Sequence, residues 1–175
     1  GKRDKLLKGK SFLILIRYLI LLGLIFTLPL IYKILTPLTI NTTVNLLKLF
    51  YNVDIYNELI IINYTTFILI IPACIAGSAY LLLLILNLTV PIKLDKRIKS
   101  IILSFLILFI LNILRIFLFA ILYHNKTPFV DFTHKFSWYF LSTIFVILIW
   151  FFITKKFSIK EIPVYTDFKY LCQEV

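Results

Sequence analysis

The chain has 175 residues, of which 61% are hydrophobic and 17% aromatic, with a formal net charge of +11. Only 15% are charged, against about a quarter in soluble domains, so a water-soluble globular protein is excluded: it could not hide so much apolar surface. The basic balance raises nucleic acid as a partner, but here Lys and Arg flank apolar runs, and membrane orientation accounts for them. No nucleic-acid partner is expected.

Residues 1–10 carry Lys2, Arg3, Lys5, Lys8 and Lys10. A first span is expected over residues 12–32, long enough for a bilayer core of about 30 Å. Arg17 lies near its charged end, from where it can snorkel to the nearer surface. This run is too long for a signal peptide, and no small-residue cleavage site follows it. Position 1 is Gly rather than Met, which reads as a processed or added end. An extracytoplasmic segment is expected over residues 33–73. Within it Val44, Leu46, Leu47, Leu49 and Phe50, among Asn45 and Lys48, have the spacing of a short amphipathic helix lying on the membrane interface.

Residues 59–71, LIIINYTTFILII, are rich in β-branched and aromatic side chains, and Asn63-Tyr64 suits a turn between two short strands. A bare sheet edge is not stable in lipid, so a hairpin here must sit above the membrane or against protein. The rival reading is one helix over 59–90 kinked at Pro72. Further spans are expected over 74–90, 100–122 and 134–153, followed by a cytoplasmic tail, 154–175. Thirteen Lys and Arg then fall on one side of the membrane, at the N-terminus, in the loop 91–99 and in the tail, against four on the other. The excess puts both termini in the cytoplasm. The expected fold is therefore an all-α integral membrane protein of one domain, 1–175, with four transmembrane helices, an interfacial helix and a small extracytoplasmic hairpin before the second span.

Three residues of chemical interest meet on the outer side of that topology. Cys74 opens the second span, where unpaired N–H groups and the positive end of a helix dipole favour a thiolate. Beside it Ala73, Ala76, Gly77 and Ser78 are small enough for an extended peptide to approach. Alone, a membrane cysteine is more often a small buried hydrophobe. Arg115 lies about 10 Å deep in the third span, at 1.5 Å per residue, and an intramembrane cation needs a partner, water or a function. Asn112 and Ser104 fall near its face. The bland reading is snorkelling or a structural bond to loop carbonyls. His134 opens the fourth span, with Ser137 and Trp138 on its face and Asp131 three residues earlier, where it can orient the ring. Imidazole is the side chain suited to proton transfer near neutral pH; the bland reading is an ordinary interfacial histidine. His124 is the competing imidazole. Together Cys74, Arg115 and His134 make a nucleophile, an oxyanion-stabilising cation and an acid/base. No metal site or cofactor is expected, since one His and no neighbouring Cys pair cannot supply zinc ligands. Cys172 lies on the opposite side from Cys74, so no disulfide is expected between them.

These features resemble the archaeosortase/exosortase family over about residues 40–150: the β-prone stretch before the thiol, the Cys74-Ile75-Ala76-Gly77 start of a span, the Asn112-Ile113-Leu114-Arg115 set late in the next, and His134 at the head of the last. Family members usually read Cys-Ser/Thr-Gly at the thiol, and here Gly77 comes one place later. The resemblance implies a cysteine peptidase and transpeptidase of the plasma membrane with its active site on the extracytoplasmic side. Its partners would be membrane proteins bearing a C-terminal tripartite signal: a short motif, a transmembrane helix and a basic cluster. It further implies cleavage through a thioester on Cys74 and transfer to an amine, in the archaeal branch the headgroup of an aminophospholipid. By the same resemblance Arg115 clamps the carbonyl and His134 is the acid/base, or an electrostatic group, since some relatives carry Arg there. Two other readings stand beside it: a non-catalytic assembly or scaffold subunit in which Arg115 and His134 form a structural polar network, and an intramembrane protease releasing its product to water.

Overall fold

The computed structural model describes residues 2–90, 92–128, 130–136 and 140–159; the side chains of residues 2–11, Asp131 and Thr133 fall outside that description, as do Ser137, Trp138 and Cys172. Helix α1 (Lys2–Gly23) runs through a short 3-10 turn (Leu24–Thr27) into α2 (Leu28–Leu47). Three strands follow, β1 (Val53–Tyr56), β2 (Leu59–Ile62) and β3 (Thr66–Leu69), then the one-turn helix α3 (Pro72–Ile75) and α4 (Gly77–Thr89). Three helices follow among the described residues: α5 (Leu94–His124), α6 (Val130–Phe136) and α7 (Ser142–Lys156).

Among the described residues two helical stretches are long and apolar enough to cross a bilayer, Phe12–Leu47 with 36 residues and Leu94–His124 with 31. Helix α5 shows which solvent it is built for. Ile102, Leu106, Ile110, Leu114 and Leu118, four residues apart, form an exposed stripe, whereas Ser100, Ser104, Asn112 and Arg115 are buried. A helix in water has the opposite arrangement. Apolar outside and polar inside is stable only where the surroundings are hydrocarbon, because there the polar groups must find partners within the protein.

The separate interfacial helix expected around residues 44–50 is absent. Helix α2 carries on through Pro37 to Leu47. Its buried residues, Thr39, Ile40, Thr43, Val44 and Leu47, recur with helical spacing along one stripe. That stripe packs on protein: Ile40, Val44 and Leu47 share a core with Val53, Ile60 and Ile62 of the sheet and Ile116 and Ala120 of α5. Of the apolar residues in that pattern, Val44 and Leu47 pack on the sheet, whereas Leu49 and Phe50 follow the helix and are exposed.

The expected hairpin over 59–71 is present, and β1 adds a third strand in the order β1-β2-β3. Both pairings are antiparallel, with Ile55 opposite Ile60 and Ile60 opposite Ile68. Asn63 and Tyr64 both take positive φ, 49° and 56°, and the Thr65 N–H closes the turn on the Ile62 carbonyl. Two left-handed residues in succession mark the turn class whose twist matches paired strands, and Asn tolerates that conformation well. His124, at the end of α5, ties the turn down. Asn63 Nδ2 donates to its Nε2 at 3.3 Å, which leaves Nδ1 to donate to Thr66 Oγ1 at 2.8 Å. Tyr51 packs edge-on against the same ring.

A second core joins α4, α5 and α7 through Tyr80, Leu83, Leu108, Val146, Ile149 and Ile153. Between α4 and α5, Asn87 accepts from Ser100 Oγ, and Ser104 Oγ donates to the Ser100 carbonyl at 2.7 Å. Ser104 thus belongs to this cluster and is not bonded to Arg115.

The expected second span, 74–90, is interrupted. Ala76 sits in the left-handed region (φ 60°, ψ 35°) and separates α3 from α4, at a cost of roughly 1–2 kcal/mol for an L-residue. The neighbouring Gly77 is needed for space: a Cβ there would lie 2.6 Å from Cζ of Tyr32. The small residue admits the α2 ring and leaves no room for a peptide at this point. Gly77→Ala is accordingly expected to lower stability by about 1–3 kcal/mol, and Tyr32→Leu in the same chain to restore most of it, as thermal unfolding in lipid nanodiscs will register.

Candidate active site

Because the chain turns at Ala76, the carbonyls at the end of α3 have no following helical turn to accept from. Two side chains of α5 supply the donors. Asn112 Nδ2 donates to the carbonyls of Cys74 at 2.9 Å and Ile75 at 3.3 Å. Arg115 Nη2 donates to the Cys74 carbonyl at 3.3 Å, and its Nη1 to Ser142 Oγ of α7 at 2.7 Å. The residues three apart on one face of α5 therefore grip the backbone of the cysteine turn, and the guanidinium carries the link on to α7. Asn112 is 1% and Arg115 8% exposed, so neither is a surface group pointing away.

Cys74 is partly buried and has a free thiol. It stands in the single turn of α3, and the longer helix starts at Gly77. One turn carries little of a macrodipole, so the positive charge brought to this cysteine is that of Arg115, not the end of a long helix.

Cys74, Arg115 and His134 line one cavity of about 250 Å³, together with residues 67–71, Ala73 and, from α5, Ile116, Phe119, Ala120 and Tyr123. Its wall is mainly apolar, with the thiol, the guanidinium and the imidazole as its chemically active groups. His134 lies in α6, toward the end of that short helix rather than at the head of α7. It is exposed, and Phe119 packs edge-on against its ring at 5.3 Å between centroids. His124 does not reach this cavity: it lines a neighbouring one with Thr65, Thr66, Tyr123, Lys126 and Thr127.

Of the other residues singled out in the sequence, Asn112 holds the cysteine turn, Gly77 faces Tyr32, and Ser78 is exposed and not part of the cavity wall. The side chain of Asp131 lies outside the described residues. Sequence reasoning missed Ser142. A serine near the head of an apolar helix carries no local signal, and only the fold puts it 2.7 Å from a guanidinium. Among the described residues no cluster of three or more His, Cys, Asp or Glu can hold a metal ion.

Residues 6–151 match the family model for the transmembrane exosortase, Exosortase_EpsH. The chain belongs to the transmembrane exosortase family. The match covers most of the chain, from α1 into α7, and includes every residue of the cavity. It agrees with the inverted polarity of α5, and this exosortase-family chain is a membrane protein. No curated protein and no solved structure matches it.

Proposed function

We propose that this exosortase-family protein is a cysteine transpeptidase acting on the C-terminal sorting signal of exported membrane proteins. The observation that supports the reading is the meeting of a free thiol, a buried guanidinium and an imidazole in one cavity, contributed by α3, α5 and α6. In this reading His134 takes the thiol proton as Sγ of Cys74 attacks the scissile carbonyl carbon, and Arg115 stabilises the oxyanion with donors beyond the two engaged by Ser142 and the Cys74 carbonyl. His134 gives a proton to the departing amine as the C–N bond breaks, leaving a thioester. An acceptor amine then attacks the thioester, its proton passes to His134, and the thiolate leaves.

The apolar wall favours transfer over hydrolysis, because limiting water lets the acyl-enzyme last until an amine arrives. The acceptor class is an amine at the membrane surface, a phospholipid headgroup being the one within reach. The topology that goes with this function has four spans, both termini in the cytoplasm and the cavity opening to the extracytoplasmic side, as the Lys and Arg distribution favours.

Mass spectrometry of the new C-terminus on a co-expressed tagged substrate tests the reading. An amide-linked adduct is expected; a free carboxylate would make the enzyme a hydrolase, and an intact signal would remove the activity altogether. His134→Ala is expected to slow processing by about 10²-fold or more, with the pH-rate profile losing the limb that the imidazole contributes. If His134→Arg runs at the wild-type rate, position 134 acts through its charge and not by proton transfer.

A further inference from the structure

Strand β3 is an edge of the sheet: β2 lies on one side of it, and among the described residues no strand lies on the other. The Ile70 N–H bonds back to the Glu58 carbonyl, and Ile68 pairs with Ile60. By the alternation of an antiparallel ladder, the N–H and C=O groups of Phe67 and Leu69 therefore point away from β2. Among the described residues nothing accepts from either N–H. The cavity is lined by residues 67, 68, 69, 70 and 71 in unbroken succession. Side chains of a strand alternate between faces, so a cavity lying against one face would meet every second residue. Five in a row means that the cavity runs along the backbone edge itself. That edge leads directly to Cys74, which follows it after one tight turn.

We infer that the substrate polypeptide binds as an added strand, pairing its main chain with Phe67 and Leu69 of β3 and so delivering its scissile carbonyl to Cys74. The inference rests on the reading of Cys74 as the nucleophile and adds how the peptide is held. The edge from Phe67 to Ile71 extends about 16 Å at roughly 3.3 Å per residue, room for four or five extended residues. Main-chain pairing supplies affinity with little regard to side-chain identity, and pockets beside the strand supply selectivity. An unpaired edge bordering an apolar cavity is costly until a peptide or water satisfies it, so the site is complementary to an extended backbone before any substrate arrives.

The test uses the full-length protein in nanodiscs with Cys172→Ser, which leaves Cys74 as its sole thiol. Acetyl-tetra-alanine chloromethyl ketone alkylates it: the S–C bond forms, chloride leaves, and the thiol proton goes to the buffer. Two twins of this probe carry N-methyl groups on amides one and three, or on two and four. Since only alternate N–H groups of a paired strand face its neighbour, one twin is expected to label at the parent's rate and the other about tenfold more slowly, the loss of one or two hydrogen bonds. In Leu69→Pro, which removes an outward N–H and no ladder bond, the two twins are expected to label equally. Equal rates for both twins on the unsubstituted edge overturn the inference, as does a Leu69→Pro chain that keeps the full preference. Equal twins alongside Cys74-dependent processing of a tagged substrate overturn the strand pairing alone. Alternate-dependent labelling without any processing removes the transpeptidase reading and leaves the peptide edge in place.

Discussion

Cys74→Ala is expected to abolish processing of a co-expressed substrate, with a loss of about 10⁴-fold or more, the scale seen when a covalent nucleophile is removed. The same chain is expected to insert and unfold at close to the wild-type temperature. The thiol is only partly buried, and the bonds that hold its turn go to backbone carbonyls, which alanine keeps. A scaffold subunit gives another pattern: the substitution would then change neither substrate processing nor assembly. Immunoblotting of the tagged substrate, paired with a thermal melt of the purified variant, separates the two, and wild-type processing by Cys74→Ala would overturn the nucleophile assignment.

Arg115→Ala has the second large effect, and it falls on both activity and fold. The side chain bridges Ser142 Oγ and the Cys74 carbonyl. Losing both bonds in a buried setting is expected to lower stability by about 2–4 kcal/mol. Arg115→Lys is the more informative change. An ammonium keeps the charge but cannot reproduce the planar fork that reaches α3 and α7 together. Processing is expected to fall by about 10²–10³-fold, as when one oxyanion donor is lost, while most of the stability remains. Initial rates and melts measured on the two variants together check this; if Arg115→Lys processes at the wild-type rate, Arg115 does not act as a directional donor.

Asn112 shows why activity and architecture are entangled here. Its donors go to the carbonyls of Cys74 and Ile75, which would be orphaned by the left-handed Ala76. Breaking the helix after Cys74 is what separates the thiol from α4, and the polar face of α5 is what makes the break tolerable in an apolar core. A buried polar residue on a membrane helix is thus a structural need created by the site itself.

How far the site is legible in the sequence depends on the residue. Arg115 stood out because a cation within an apolar run has to be accounted for, and Cys74 because small residues and Pro72 surround it at a break in the pattern. The hairpin was legible from β-branched runs about an Asn-Tyr turn. A separate helix was expected at the end of α2 because Val44 and Leu47, which face the sheet, and Leu49 and Phe50, which are exposed, share a helical period that does not tell a sheet from a bilayer surface. Gly77 was misassigned because a small residue marks a close approach without saying by what, and the ring that arrives is Tyr32.

By itself the sequence determined the class of solvent and the chemistry on offer: a hydrocarbon-facing chain with a thiol at the break before α4, a guanidinium within an apolar run and two imidazoles. Periodicity and the cost of burying charge act locally, so they can be read along the chain. Only the tertiary structure decided which imidazole shares the cavity with Cys74, that Ser142 anchors Arg115, and that the free edge of β3 leads to the thiol. Those outcomes depend on contacts such as the one from Asn112 to Cys74, 38 residues apart. Their pairing is chosen by how whole helices and a sheet fill space together, and no local pattern carries that choice.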